Sequence, residues 1–290
     1  MAVLTEMANP ALTARGSGTL YVVATPIGNL ADSSPRSIEA LRAVNVIACE
    51  DTRTTRTLLA HHGIAARTVA LHEHNERSVA AKLIALLREG QHVALVSDAG
   101  TPGVADPGAF LVGEAHRAAI RVTPIPGANA AVAAFSAAGF AASRFLFAGF
   151  LPASGAARRK ALEALDVPWP VIFYEAPHRI LETLNDLAAR FGPAREAAIA
   201  RELTKKFEEI ARLPLGEAGA WLLAEPHRRQ GEFVIVLGPG EAQPPAALDA
   251  ERVLGALLEA LSPSEAAKLA ARITGLPKSA LYKRALERAK

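Results

Sequence analysis

Cysteine is almost absent from this chain: its one residue, Cys49, cannot close an internal disulfide. It lies in the apolar run Val46-Ile47-Ala48-Cys49, where a thiol acts as a small core side chain and not as a nucleophile. Aromatic residues are also scarce, at 5% of the chain, so there are few platforms on which to stack bases. No window holds the roughly 18 consecutive apolar residues of a membrane span, and the first residues lack the order of a secretory signal. These absences set the expectation of a cytoplasmic protein with no membrane partner. Also missing are G-x-G-x-x-G after the first strand and any Walker-type phosphate loop, which excludes nicotinamide cofactors and nucleoside triphosphates.

What is present is globular composition, 50% hydrophobic and 21% charged, in a 290-residue chain long enough for two or three domains. The chain is organised around Val93-Ala94-Leu95-Val96-Ser97-Asp98-Ala99-Gly100-Thr101-Pro102-Gly103, continuing to Asp106-Pro107-Gly108. An apolar run of this length reads as a strand buried on both faces, which breaks into a polar loop at its carboxyl end. In open α/β sheets, ligands bind outside those ends. Similar strand–loop–helix units recur: strands over 19–24, 44–49, 68–71 and 121–125 alternate with helices, one opened by Ser34-Pro35 as N-cap and N1 proline. A second set follows, with strands over 145–150, 171–174, 196–201 and 233–237 and helices over 156–165, 179–190 and 215–224. The reading is two α/β domains, 19–127 and 128–240, after a flexible leader over 1–18. Gly238-Pro239-Gly240 and Pro244-Pro245 form a linker.

The last module, 245–290, reads as all helix. Ser262-Pro263-Ser264-Glu265 is a capping box, Thr274-Gly275-Leu276 a tight turn, and Pro277 starts a final helix. On that helix Leu281, Tyr282, Ala285, Leu286 and Ala289 share one face. The module holds eight Lys/Arg against five Asp/Glu, which accounts for the whole formal charge of +3. A helix, a Gly turn and a second basic helix resemble a helix-turn-helix; an ordinary helical hairpin with a solvated face is the plainer alternative.

A nucleoside ligand without phosphates needs no anion cradle. S-adenosylmethionine is one: carbonyls and an Asp near strand ends suit its hydroxyls and ammonium, and exposed amides its carboxylate.

A set of motifs occurs in order along the chain. They are Thr25-Pro26-Ile27-Gly28-Asn29-Leu30, Cys49-Glu50-Asp51-Thr52-Arg53, Ser97-Asp98-Ala99-Gly100-Thr101-Pro102 and Pro126-Gly127-Ala128-Asn129. Phe150-Leu151-Pro152, Tyr174-Glu175-Ala176-Pro177-His178-Arg179, Arg201-Glu202-Leu203-Thr204-Lys205 and Gly231-Glu232-Phe233 follow. Together they resemble the ribosomal RNA small subunit methyltransferase I family of the tetrapyrrole methylase superfamily, from about residue 19 to 237. The tail resembles that family's helical C-terminal domain. The porphyrin-type relatives carry a Gly-rich loop where this chain has Ala24-Thr25-Pro26-Ile27-Gly28.

The resemblance implies a class III methyltransferase fold with S-adenosylmethionine in a cleft between two α/β domains. It also implies a homodimer and a target on the ribose 2′-oxygen of a cytidine in the decoding region of 16S rRNA, within the small ribosomal subunit. By motif, Pro26, Asp98, Gly100, Thr101, Ala128, Asn129, Tyr174, Glu175 and Glu232 are the cofactor residues. A ribose hydroxyl attacking a sulfonium methyl gains from orientation and from a base or a cation beside the developing alkoxide. Glu175, Arg201, Lys205 and His74 are the candidates, with His178 and Asn75 beside them, and the choice of base stays open. His72-Glu73-His74 lacks the spacing of a metal site, and methyl transfer from a sulfonium needs no Lewis acid, so no metal is expected. Arg158, Arg159 and Lys160, with Lys278, Lys283 and Arg284 of the tail, are the candidate RNA contacts. With few aromatics, recognition should lean on folded RNA shape. A small-molecule methylase and a non-catalytic ribosome-assembly factor are the rival readings.

Overall fold

The computed structural model describes residues 16–240 and 250–288. The leader up to residue 15, Pro244-Pro245 of the linker, Ala289 and Lys290 lie outside the described residues. Gly18 is already tied to the fold, its N–H bonded to the Leu87 carbonyl at 2.6 Å.

Strands β1 (Thr19–Val23), β2 (Val46–Cys49), β3 (Arg67–Ala70), β4 (Val93–Val96) and β5 (Arg121–Ile125) form a parallel sheet in the order β3-β2-β4-β1-β5. The two apolar runs, β2 and β4, are buried at every position because helices cover both faces. Helices α1 (Pro35–Ala43) and α2 (Thr52–His61) pack Leu41, Leu58 and Leu59 on one side. Helices α3 (Glu76–Arg88) and α4 (Ala109–Arg117) pack Leu83, Leu87 and Leu111 on the other. Ser34 caps α1 with Pro35 in its first turn, as the sequence indicates. Helix α4 has no cap of its own; Glu76 reaches across from α3 and accepts from the N–H groups of Gly108 (3.0 Å) and Phe110 (3.1 Å). Strand order reverses between β4 and β1, so the loops leaving these two strands open a crevice at the switch point.

Helix α5 (Ala130–Ala138) leads into the second half. Its small buried residues, Ala131, Ala134 and Ala138, lie against the second sheet in one core with Ile172, Ala198 and Val236, and with Ile27 from the loop after β1. That sheet comprises β6 (Leu146–Phe150), β7 (Val171–Glu175), β8 (Glu196–Arg201), β9 (Glu209–Pro214) and β10 (Phe233–Leu237), in the order β6-β7-β10-β8-β9. Only β6 and β7 are parallel; the other pairs are antiparallel. Helices α6 (Gly155–Glu163), α7 (Ile180–Phe191) and α8 (Leu215–Ala224) cover the face away from α5, with Leu162, Leu184 and Leu222 in the core. Strand β9 was not foreseen. It is an edge strand ending in Pro214, and its alternation turns Ile210 and Arg212 to solvent, so no apolar run marks it.

The tail is a three-helix module: α9 (Ala250–Leu258), α10 (Pro263–Thr274) and α11 (Lys278–Arg288). Its core is mostly alanine, with Leu254 and Leu281 as the large members. The capping box at Ser262 forms, and Gly275 ends α10 in the left-handed conformation at φ 74°. The face read on the last helix splits. Leu281 and Ala285 are buried, but Tyr282 and Leu286 are 40% and 44% exposed, because one small module buries only a narrow stripe. No described helix is long and apolar enough to cross a membrane.

Candidate active site

The crevice is built by backbone before any side chain enters it. Thr25, just past β1, exchanges two hydrogen bonds with Gly100, just past β4: N–H to O at 2.8 Å and the reverse at 3.1 Å. Its buried hydroxyl donates to the Ser97 carbonyl at 3.1 Å. Gly100 holds φ 86°, a left-handed conformation that strains any side chain, so the turn favours glycine. Thr101 donates to the Ala128 carbonyl at 3.0 Å, fastening this loop to the chain entering α5. Asn129 caps α5 through Val132 N–H, and the Tyr174 hydroxyl accepts from Ala131 N–H at 3.2 Å. Burial raises the Tyr174 pKa, so the phenol keeps its proton.

Two cavities result. One, of about 410 Å³, lies between the sheets and is walled by Gly100, Thr101, Asp106, Asn129, Tyr174 and Val234, with Phe150 at its edge. The second, of about 380 Å³, is lined by Thr25, Pro26, Gly28, Thr57, Asp98 and Lys205. Ile27, Ala99 and Glu232 line both, so the two are lobes of one cleft that meet at these residues.

The loop after β8 reaches over the junction. Glu202 and Thr204 sit at positive φ, 50° and 66°, an uncommon state for side chains of this size. Buried Arg201 holds the loop, donating to the carbonyls of Gln230 (2.7 Å) and Phe207 (2.9 Å). Lys205 then crosses to the first half of the molecule, with Nζ bonded to Glu202 (2.8 Å) and Glu232 (2.9 Å). Its stem lies so close over Gly28 that a Cβ there would stand 2.4 Å from the Lys205 Cγ. Burial alone would lower the Lys205 pKa, but the two carboxylates outweigh it and raise it, keeping an ammonium at the junction.

The cleft thus gathers Pro26, Asp98, Gly100, Thr101, Asn129, Tyr174, Lys205 and Glu232. Pro26 and Asp98 fall in the second lobe, with Asp98 accepting from Asp51 N–H at 3.0 Å. Ala128 offers its carbonyl to Thr101 and lines neither lobe.

Other expectations need correction. Glu175 touches the first lobe, yet its side chain is 1% exposed. Its carboxylate is consumed by Arg179 (2.6 and 2.9 Å), Thr183 (2.6 Å) and Ala176 N–H (2.7 Å), so it has no capacity left to act as a base. Arg201 gives two of its N–H groups to carbonyls, shapes the loop and lines neither lobe. His74 is exposed with its ring 6.0 Å from that of His72, while Asn75 closes a turn onto His72 N–H (2.8 Å). His178 is exposed, and none of these three lines a lobe. Arg158 is buried at 2% exposure between Asp186 (2.7 Å) and Glu182 (3.2 Å), bolting α6 to α7 out of reach of RNA. Arg159, Lys160, Lys278, Lys283 and Arg284 are exposed. No cluster suited to a metal ion occurs among the described residues.

Asp106 is the residue that sequence reasoning passed over. It follows Ala105, strained at φ 66°, and faces the first lobe. Burial, with Glu50 and Asp98 nearby, pushes its carboxyl up to about 6. The Ala-Asp-Pro-Gly turn two positions beyond the Gly-rich loop was the available signal.

Two sheets with a cleft at their junction define a methylase of the tetrapyrrole type. Residues 19–219 match the family described as Tetrapyrrole (Corrin/Porphyrin) Methylases, and residues 244–289 match the RsmI C-terminal HTH domain. Among solved structures, the methyltransferase CobJ superposes with a TM-score of 0.57 at 22% identity, covering 77% of this chain and 95% of that one. Uroporphyrin-III C-methyl transferase from Thermus thermophilus, complexed with S-adenyl homocysteine, gives 0.51 at 18% identity, covering 77% and 97%. Ribosomal RNA small subunit methyltransferase I of Escherichia coli O157:H7 is 51% identical over 93% of this chain and 95% of its own length. The protein of that name from Pseudomonas aeruginosa is 49% identical over 94% and 98%. The chain belongs to the ribosomal RNA small subunit methyltransferase I family.

Proposed function

We propose that this chain is a cytoplasmic, homodimeric enzyme that methylates the ribose 2′-oxygen of a cytidine in the decoding region of 16S rRNA, using S-adenosylmethionine. The observation that carries the reading is the two-lobed cleft with a carboxylate and an ammonium at its junction. Its relatives' names supply the rRNA, and the basic helical tail favours a large anionic substrate over a porphyrin-sized one. An exposed apolar patch, Val132 (53%) and Phe145 (42%) with the Phe135 ring 4.8 Å from that of Phe145, supports a dimer contact.

The first lobe fits the cofactor. Its volume suits a ligand of that size, and its walls are mostly apolar. When bound, S-adenosylmethionine supplies an electrophilic methyl on a sulfonium. Gly100, Thr101, Asn129, Tyr174 and Val234 would hold it, and Asp106 would face its positive charge. The second lobe would present the ribose hydroxyl at the junction. With the methyl supplied by the bound cofactor, the ribose hydroxyl would give its proton to Glu232, which is 78% exposed. The Lys205 ammonium stabilises the oxygen's developing negative charge. Holding the two reactants in line supplies much of the rate.

The test is transfer of labelled methyl to small ribosomal subunits lacking their own modifications, with naked 16S rRNA beside them. Label that protects its linkage from alkali supports ribose methylation. Absence of label on both RNAs, with cofactor binding intact, overturns the rRNA reading.

A further inference from the structure

The loop after β8 ends in a feature that lines neither lobe. Residues 202–208 make two consecutive turns, with Lys205 N–H bonded to the Glu202 carbonyl at 3.0 Å and Glu208 N–H to the Lys205 carbonyl at 3.1 Å. Lys206 and Phe207 form the tip of the second turn, directly after Lys205. Phe207 is 62% exposed, the highest value for a large apolar side chain among the described residues. The tip is nevertheless held firmly. Buried Arg201 donates to the carbonyls of Phe207 and Gln230 together, and Thr204 N–H donates to Glu208 at 2.6 Å. Glu202 N–H to the Glu232 carbonyl and Glu232 N–H to the Glu202 carboxylate, both at 3.0 Å, tie the neighbouring loop to it. The backbone also keeps positive φ at Glu202 and Thr204. A ring left in water on a backbone fixed at so many points is a prepared surface, not a frayed loop.

Its surroundings favour one kind of occupant. The Lys206 ammonium stands 5.5 Å from the ring centroid, and exposed Arg229 lies on the segment that Arg201 draws alongside. Glu208, the adjacent acid, is engaged by Thr204 N–H. An aromatic face with cations near it suits a base on a polyanionic chain, because every base has a face to stack. Two residues of chain span at most about 7 Å. A strand whose ribose lies beside Lys205 can therefore lay a neighbouring base on the ring.

We propose that Phe207 is the platform on which the RNA stacks a base next to the target nucleotide, with Arg201 fixing the backbone of the tip. The proposal rests on the rRNA reading above. It gives a chain that is only 5% aromatic one stacking contact near the chemistry. It also accounts for a buried arginine that binds two loop carbonyls and no carboxylate.

The experiment uses full-length Phe207→Ala, Phe207→Leu and Phe207→Trp. For each, steady-state methyl transfer to unmodified small subunits gives KM and kcat. Calorimetry gives the affinity for S-adenosylmethionine, and sedimentation gives the oligomeric state. Removing the ring, in the alanine and leucine variants, is expected to raise KM about tenfold, the scale of one lost base stack. Cofactor affinity, kcat and oligomeric state should stay at their wild-type values, and Phe207→Trp should keep the wild-type KM or lower it. Wild-type KM in the alanine variant would overturn the platform. So would a leucine variant that matches wild type, since apolar contact without a π-face would then suffice, or a tryptophan variant as impaired as alanine. A changed oligomeric state would overturn it by giving the tip to a second copy of the chain, and weakened cofactor binding by giving it to the cofactor. If the wild-type enzyme methylates no RNA, the underlying reading fails with it; active wild type beside indifferent variants defeats the platform alone.

Discussion

Glu175, Arg158 and Arg201 are charged residues inside conspicuous motifs, and each is spent on architecture. A carboxylate with four donors from three residues and 1% exposure cannot take a proton from a substrate, but it can fix the start of α7 to the end of β7. Glu175→Gln leaves Arg179 without its counter-charge and is expected to cost about 3 kcal/mol of stability, the scale of breaking a buried pair. Urea denaturation checks this; cofactor affinity of the folded fraction should be unchanged. Asp106 is the opposite case, a residue with no motif of its own whose burial makes it chemically distinct. Its folded pKa lies above the unfolded value, so between about pH 4 and pH 6 the native state binds more protons and stability falls as pH rises. Asp106→Asn should remove that slope, becoming progressively more stable than wild type from pH 4.5 to 7 in denaturant melts. A constant difference between the two across that range would contradict the assignment. Sequence shows which residues can ionise; it does not show which face water, since that depends on packing between distant helices.

Elements were legible where one physical cause dominates. Runs buried on both faces announced β2 and β4, and Ser34-Pro35 and Ser262-Pro263-Ser264-Glu265 announced two helix starts through the capping chemistry they contain. The antiparallel pairing of β10 with β7 and β8 was not legible, because direction belongs to pairs of strands and leaves no mark on one. Edge strand β9 hid for a related reason: with one side unpaired, it can turn Ile210 outward. The loop after β8 was recognised only as a motif, and its strained backbone and its reach over Gly28 appear only in three dimensions. Gly28→Ala tests that reach. A methyl group there must displace the Lys205 stem, so methyl transfer is expected to drop about tenfold, an effect of mispositioning. Because the loop lies at the rim, Tm should move little. Unchanged activity would show that the Lys205 crossing is dispensable.

At the scale of the molecule, the site exists only because two sheets of different topology meet. The first contributes the bridge between Thr25 and Gly100 at its switch point, and the second contributes Tyr174, Lys205 and Glu232. The motifs mark loops that line one cleft, but sequence alone does not divide them between lobes. Pro26 and Asp98 stand in the second lobe, apart from Gly100, Thr101 and Tyr174 in the first. Among the described residues only Glu232, beside the Lys205 ammonium at 2.9 Å, is an ionisable residue lining both. The most direct measurement is therefore single-turnover methyl transfer by Glu232→Gln on unmodified small subunits, alongside calorimetric binding of S-adenosylmethionine. The account predicts cofactor affinity within about twofold of wild type and a chemical step slowed by about 100-fold or more, the contribution of a positioned proton acceptor. A Glu232→Gln enzyme that transfers methyl at the wild-type rate would contradict it, placing the chemistry away from the junction of the lobes.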